Sequence, residues 1–232
     1  LVVIDEKNNV LKTLYLKTEG NPIRAVACGM KLLEQEFKAA DIAGAGTTGS
    51  GRAIAAMMIG ADAVKNEITA HGRAVAKLYP EIRTVFEIGG QDSKIILIKD
   101  GYVRDFAMNT VCAAGTGSFL DRQAERMGIK TSDIGQLALR ADMPASIAGR
   151  CAVFAESDII HKQQMGVSIE NILAGMCRAL VRNYMSNVAK GKKLEPGFCF
   201  QGGVSCNEGI KKAFEEEIGA EITVPEHNTV MG

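Results

Sequence analysis

The sequence predicts an α/β protein of two lobes. Runs typical of β-strands alternate with helical periodicity along its 232 residues, a length that allows one large domain or two small ones. Three strand-like runs end in glycine turns, where backbone N–H groups are free to meet phosphate or ribose oxygens. We therefore expect a first lobe over residues 1–86, a second over residues 87–232, and a nucleotide cleft.

The first lobe is predicted to begin with a hairpin. The alternating runs LVVID and VLKTLYL, separated by EKNN, predict paired strands within residues 1–17. Pro22 is placed to start a helix, because apolar residues at helical spacing follow it. DIAGAG predicts a strand at residues 41–46, and a helical pattern begins around Ala53. A further helix, within EITAHGRAVAKLYP, should end before Pro80.

The second lobe is predicted to begin with a meander. Residues 84–109 predict three strands joined by a glycine turn and an Asp-Gly turn. Residues 115–190 are mostly helical in pattern, with breaks at glycines and a proline. After them, GFCFQGG predicts a short buried strand, NEGIKKAFEEEIG a helix and EITVP a last strand.

The charge balance argues against nucleic acid or an anionic membrane as a partner. Lysine and arginine number 27 and aspartate and glutamate 27, so no net field attracts a polyanion. Small molecules and protein surfaces are the expected partners. Six cysteines without close pairing, no signal-peptide pattern and no long apolar run predict a cytoplasmic protein with free thiols.

Three strand-to-glycine junctions predict a phosphate site: GAGTTGSG at 44–51, EIGGQDSK at 87–94 and FQGGVSCNEG at 200–209. Glycine lets the backbone approach a ligand closely, and the alternative for each junction is an ordinary turn. GAGTTG also satisfies the dinucleotide fingerprint G-x-G-x-x-G. The acidic residues that follow, Asp62 and Glu67, fall in segments of helical pattern, so NAD binding ranks below a phosphate site.

The second junction carries charged side chains. Glu87 and Asp92 flank its turn, and Lys94 lies beyond them. Carboxylates there could hold Mg²⁺ directly or through waters, and Lys94 could face a phosphate. The alternative is a solvated turn.

Cys112 and Cys151 each precede a predicted helix. Both thiols are expected at the positive end of a helix dipole, which stabilises the thiolate. Two cysteines cannot fill a four-coordinate zinc or [4Fe-4S] site alone, but a twofold dimer would supply the other two. The alternative is that both are buried structural thiols. Three other cysteines lie in apolar patterns and are expected in the core: Cys28, Cys177 and Cys199.

These motifs resemble the ATPase activators of 2-hydroxyacyl-CoA dehydratases and benzoyl-CoA reductases. That family is part of the superfamily of acetate kinase, sugar kinases, Hsc70-type chaperones and actin, so the resemblance implies an actin-like ATPase fold of ribonuclease H-like type. It covers nearly the whole chain. The matching stretches are TGSGR (48–52), IGGQDSK (88–94), NTVCAAGTGSFL (109–120), RCAVFAESD (150–158) and GGVSCNEG (202–209).

The resemblance implies cofactors and partners. ATP or ADP with Mg²⁺ is implied in each cleft, and a [4Fe-4S] cluster is implied between two subunits of a homodimer, held by the cysteines that match Cys112 and Cys151. Nucleotide binding and hydrolysis would then drive a low-potential electron into a partner, in anaerobic metabolism. The implied partner is a 2-hydroxyacyl-CoA dehydratase, a benzoyl-CoA reductase or a related double-cubane reductase component. The implied electron donor is ferredoxin or flavodoxin.

The resemblance also implies roles for single residues. Gln91 and Asp92 are expected to position Mg²⁺ or the attacking water. Nucleotide-binding positions are implied on the phosphate side at Thr48, Gly49, Gly89, Gly90, Gly115, Thr116 and Gly117, and on the adenosine side at Gly202, Gly203 and Asn207.

The sequence also departs from the family pattern. The family's first phosphate loop is expected on a strand just before residue 1, and a closing helix is expected after residue 232, so we expect this chain to be a piece of a longer protein. Glu87 stands where many members have aspartate. Two alternatives therefore stay open: a small-molecule kinase of the same superfamily with structural cysteines, and a non-catalytic docking repeat of a larger activase.

Overall fold

The computed structural model describes residues 1–109 and 113–232 of the chain, which form two compact units. The smaller unit comprises Leu1–Ala74 with Val230–Gly232, and the larger unit comprises Val75–Thr229. The lobe boundary expected between residues 86 and 87 falls inside a strand of the larger unit.

The smaller unit contains two separate two-stranded sheets and short helices. The strands β1 and β2 form the predicted antiparallel hairpin, whereas β3 and β4 are parallel and are connected through α2. α1 begins at Pro22 as predicted, and Asn21 caps it because its Oδ1 accepts the Arg24 N–H at 3.0 Å. The elements are β1 (Val2–Ile4), β2 (Val10–Thr13), α1 (Pro22–Leu33), β3 (Gly46–Thr47), α2 (Arg52–Ile59), β4 (Ala63–Val64) and α3 (Glu67–Leu78), which continues into the larger unit.

The strand expected at residues 41–46 is wrong. A 3₁₀ turn occupies Ala39–Asp41, and the strand begins only at Gly46, since the alanines and glycines between them offer little side-chain surface to pack. Asp62, expected in a helix, lies in the loop before β4, where its Oδ2 accepts the Ala45 N–H at 2.7 Å. This bond joins the residues that precede the two parallel strands β3 and β4.

The larger unit is built on a five-stranded sheet in the order β7-β6-β5-β8-β9. β5, β6 and β7 form the predicted antiparallel meander, and β8 is parallel to β5 and to β9. The elements are β5 (Thr84–Ile88), β6 (Ser93–Lys99), β7 (Tyr102–Asn109), α4 (Gly117–Met127), α5 (Ile134–Ala138), α6 (Ala152–Gln164), α7 (Ile169–Asn187), β8 (Phe198–Gln201), α8 (Glu208–Ile218) and β9 (Ile222–Thr223).

The core of the larger unit lies between the central strands and α7. All residues of β5 and β8 are buried, which is typical of strands covered on both faces. The Phe86 ring stacks on Phe214 with centroids 5.0 Å apart and meets Tyr184 edge-on at 5.8 Å. The Tyr184 hydroxyl donates to the Lys94 carbonyl at 2.6 Å, so α7 is fixed to the sheet.

α7 is the longest helix that the structure describes, at 19 residues. Ser168 caps its start by accepting the Asn171 N–H at 3.4 Å. Among the described residues, no helix is both long enough and apolar enough to cross a membrane.

Candidate functional site

The second and third glycine junctions lie side by side at the carboxyl ends of β5 and β8. The strands are parallel, with Glu87 opposite Gln201, so the turns that follow them emerge at one edge of the sheet. Gly202 has a φ of +90°, and a Cβ at this position would overlap the Ile88 carbonyl. Only glycine fits this close approach.

Gly117 and Ser118, the last residues of the AAGTGS stretch and the first of α4, are docked on the β5–β6 turn. The Gly117 N–H donates to the Gly89 carbonyl at 2.9 Å, and the Ser118 N–H donates to the Gly90 carbonyl at 2.8 Å. A Cβ on Gly117 would lie only 3.1 Å from Gly89 O and from Val204 Cγ2, so a side chain would push the turn and the helix apart. Three predicted stretches therefore converge at this edge, although these two amide hydrogens are already bonded and do not face a ligand.

A buried charge cluster supports the same turn. Lys94 Nζ lies 2.7 Å from Asp92 Oδ1 and 3.1 Å from Glu87 Oε2. The Lys94 and Glu87 side chains are 5% and 6% exposed, whereas Asp92 is 28% exposed. Burial disfavours the charge on Lys94, but the two carboxylates outweigh it, so the pKa of Lys94 is raised.

The sequence analysis missed this pairing, because it considered Lys94 as a phosphate ligand or as part of a solvated turn, and the buried Lys94 side chain is not solvated. The signal was present in the strand register, since Glu87 and Lys94 are directly opposite each other on β5 and β6. Asp92, the more exposed carboxylate, has one oxygen held by Lys94. Gln91, at the tip of the turn, is exposed.

The turn fits Mg²⁺ only in part. Within the described ranges, no group of three or more histidine, cysteine, aspartate or glutamate side chains is arranged to hold a metal. Mg²⁺ is commonly held by one or two carboxylates together with substrate phosphates and waters. Asp92 fits that pattern as the protein's ligand, with the remaining ligands coming from a nucleotide.

Asn207 serves as the cap of α8. Its Oδ1 accepts the Ile210 N–H at 3.0 Å. A Cβ on Gly135 would lie 2.9 Å from that oxygen, so α5 packs directly against the cap. The adenosine-side role of Gly202, Gly203 and Asn207 stays a prediction.

The TTGSGR loop of the smaller unit joins β3 to α2. Gly49 has a φ of +85°, and its carbonyl accepts from the Arg52 guanidinium at 2.9 Å. Thr47 Oγ1 donates to the Arg52 carbonyl at 2.9 Å. The neighbouring Thr48 Oγ1 is buried and has no hydrogen-bond partner among the described residues. A buried hydroxyl of this kind is suited to a ligand oxygen that the protein itself does not supply.

Cys151 lies immediately before α6, as predicted. It is the N-cap residue, with extended backbone (φ −150°, ψ 136°), and it is partly exposed. Its thiol is thus near the positive end of a 13-residue helix. Cys112 lies outside the described residues, so the predicted pairing of the two cysteines stays a prediction.

The expectations for the other cysteines have mixed outcomes. Cys177 and Cys199 are buried as predicted, and burial raises the pKa of each thiol to about 12. The prediction for Cys28 is wrong, because this side chain is exposed. The buried residue of α1 is its neighbour Gly29, so the helix turns Cys28 away from the packed side.

Comparison with known proteins places the chain among ATPases. The model of the BadF/BadG/BcrA/BcrD ATPase family matches residues 1–232. The (R)-2-hydroxyglutaryl-CoA dehydratase activating ATPase of Acidaminococcus fermentans is 33% identical over 235 residues, covering 100% of this chain and 89% of that protein. One of the benzoyl-CoA reductase polypeptides of Thauera aromatica is 32% identical over 235 residues, covering 93% of this chain and 82% of that protein.

A solved structure agrees with these sequence matches. The activator of the 2-hydroxyisocaproyl-CoA dehydratase from Clostridium difficile, with bound ADPNP, matches with a TM-score of 0.88 at 30% identity. The match covers 99% of this chain and 85% of that chain. The predicted fold class, α/β of the actin-like ATPase type, is confirmed.

Proposed function

This chain belongs to the BadF/BadG/BcrA/BcrD ATPase family, and we propose that it is an ATP-dependent activator of a 2-hydroxyacyl-CoA dehydratase or a related CoA-ester reductase. The observation that carries the proposal is the docking of the first residues of α4 on the β5–β6 turn, through Gly117 to Gly89 and Ser118 to Gly90. Because of these bonds, a nucleotide at the turn also acts on α4. The names of the relatives support the choice of partner.

We place the phosphates of ATP at the glycine stretches that meet at this sheet edge. Asp92 is the proposed protein ligand of Mg²⁺, and Lys94 orients its carboxylate through the ion pair at 2.7 Å. Gln91, exposed beside it, is the proposed residue that orients the attacking water. The nucleotide-binding roles of Thr48 and Gly49, which lie in the smaller unit, stay predictions of the sequence.

We propose that Cys151, together with Cys112, holds a [4Fe-4S] cluster between two copies of the chain. Cys151 fits this role in two ways: its thiol is partly exposed, and it is the N-cap residue of α6, where the backbone leaves the helix. When bound, the cluster would carry one low-potential electron from a ferredoxin or flavodoxin to the partner enzyme.

The first experiment is anaerobic purification followed by iron, acid-labile sulfide and ATPase measurements. We expect about four irons per dimer and Mg²⁺-dependent ATP hydrolysis in the unmodified protein. Cys151→Ala should lose the iron, and Cys28→Ala, which changes an exposed cysteine of the smaller unit, should keep it. Asp92→Asn should lose hydrolysis while keeping the iron.

Two results would overturn the proposal. Phosphoryl transfer to a small-molecule hydroxyl that persists in Cys151→Ala would identify a kinase. Binding to the partner enzyme without any nucleotide binding or iron would identify a docking repeat.

A further inference from the structure

We propose that Asn183 is a positioning residue that couples the glycine stretch at Gly115 to the turn that carries Cys151. Asn183 lies on α7 and is 1% exposed. Its Nδ2 donates to the Gly149 carbonyl at 2.7 Å, two residues before Cys151. Its Oδ1 is buried without a hydrogen-bond partner among the described residues. The Asn183 amide thus uses its Nδ2 in a hydrogen bond, while its Oδ1 has no partner among the described residues.

The Asn183 Nδ2 bonds to a turn, residues 147–149, that is held against both α7 and α6. The Arg182 guanidinium donates to the Ile147 carbonyl at 2.7 Å, and the Ala148 N–H donates to Asp158 Oδ2 at 2.8 Å. A Cβ on Gly149 would lie 2.9 Å from the Ala179 carbonyl, so the turn already touches the helix backbone. A displaced Asn183 amide therefore displaces the turn with it.

Asn183 Oδ1 faces the glycine stretch at Gly115. A Cβ on Gly115 would lie 3.0 Å from Asn183 Oδ1 and 3.9 Å from Ser93 Oγ. Within the described part of the chain, the buried Ser93 hydroxyl also has no partner, so two unsatisfied polar atoms border the same glycine. Buried polar atoms without partners are costly, and a shift of the stretch that brings a donor to Oδ1 removes that cost.

Through its two amide atoms, Asn183 connects Gly115 with Gly149. A movement of the backbone at Gly115 changes what Asn183 Oδ1 meets, and the same amide holds Gly149 beside Cys151. The inference depends on the proposed function only in treating Gly115 as part of a phosphate-binding stretch. The coupling itself can be measured without nucleotide.

The test is a double-mutant cycle of Gly115→Ala and Asn183→Ser, with the alkylation rate of Cys151 as the readout. Gly115 does not have a positive φ, so alanine is compatible with the backbone, and its Cβ presses on Asn183 Oδ1. Serine is shorter and leaves room for that Cβ. Peptide mass spectrometry gives the Cys151 rate, and the exposed Cys28 of the smaller unit provides an internal reference.

We expect Gly115→Ala to change the Cys151 rate about threefold or more, and to change it much less in the Asn183→Ser background. Asn187→Ser is the matched control, since Asn187 is exposed one turn further along α7, and it should leave the effect of Gly115→Ala intact. Additive effects of Gly115→Ala and Asn183→Ser would overturn the proposal. So would an unchanged Cys151 rate in Gly115→Ala alone, a result that does not depend on whether the Asn183 variants fold.

A second arm separates this inference from the proposed function. ADPNP binding is measured by calorimetry, and the Cys151 rate is compared with and without ADPNP in the unmodified protein and in Asn183→Asp. We expect ADPNP to change the rate only in the unmodified protein. An unmodified protein that binds no ADPNP would contradict the proposed function, while the nucleotide-free cycle would still decide the coupling. Equal responses of both proteins to bound ADPNP would overturn the coupling alone.

Discussion

Lys94 and Glu87 stand directly opposite each other on neighbouring antiparallel strands, and their charged groups form an ion pair at 3.1 Å. Both side chains are almost completely buried, and Asp92 completes the cluster at 2.7 Å from the same ammonium. A buried ion pair is weak evidence for stability, but the loss of one partner is costly because a charge is left uncompensated.

Lys94→Met should therefore reduce the free energy of unfolding by about 3–5 kcal/mol. The methionine fills a similar volume but leaves Glu87 and Asp92 without a counter-charge. Urea denaturation followed by circular dichroism measures the loss. Lys211→Met is the control, because Lys211 pairs with Glu215 on the surface of α8, where such a pair contributes about 1 kcal/mol or less. Equal losses in the two variants would contradict the prediction.

Thr48→Val should weaken ATP binding, whereas Thr47→Val should lower the stability of the protein. Thr48 Oγ1 is buried without a partner among the described residues, so its replacement should weaken ATP binding about tenfold while leaving the protein as stable or slightly more stable. Thr47 Oγ1 donates to the Arg52 carbonyl, so its loss should cost about 1 kcal/mol of unfolding free energy. Calorimetric titration and thermal unfolding distinguish the two, and unchanged ATP affinity in Thr48→Val would remove this residue from the site.

Gly202→Ala should destabilise the larger unit by about 4 kcal/mol or more. The new Cβ meets the carbonyl of Ile88, which lies on a fully buried strand and has no room to move, and the positive φ adds strain. Gly219→Ala isolates the second effect, because Gly219 has a φ of +69° and open space around it, and it should cost about 1–2 kcal/mol. If chemical denaturation gives the same loss of unfolding free energy for both variants, the close approach of the Ile88 carbonyl is not what requires glycine at position 202.

The described cysteines should differ sharply in their reaction with iodoacetamide in the native protein. Burial raises the pKa of Cys177 and Cys199 to about 12, so both remain protonated and unreactive as the pH rises through the ordinary thiol value of 9.0. The exposed or partly exposed Cys28, Cys151 and Cys206 should react. Mass spectrometry of the modified peptides gives the pattern, and labelling of Cys177 before unfolding would contradict it.

Local patterns predicted most of the fold. The hairpin, the meander and the long helices follow from alternation, from helical periodicity and from signals such as Pro22, which act within a few residues of chain. β3 and β4 were not predictable in the same way, because each has only two residues and is defined by its pairing with the other.

The glycines of the candidate site could be predicted from the sequence, but the ion-pair partners of its charged side chains could not. Gly117 and Gly202 were marked by motif, and the structure shows why each lacks a side chain: another backbone passes close by. At Gly89, also marked by motif, a Cβ would instead meet the Asp92 carboxylate at 3.2 Å. The partners of Lys94 depend on strand register, and the role of Asn183 depends on which turn packs against α7. Local sequence patterns predict neither the partners of Lys94 nor the contacts of Asn183, because both depend on how separate strands, helices and turns pack.

Most helices begin with amide hydrogens that are open to water, and their first turn frays. α4 differs, because its first two amides are bonded to the carbonyls of Gly89 and Gly90. The start of this helix, which is about 16 Å long, is therefore fixed to the sheet edge by its own backbone and not by a capping side chain. A change in the conformation of the β5–β6 turn would therefore have to move the start of α4 with it or break both hydrogen bonds.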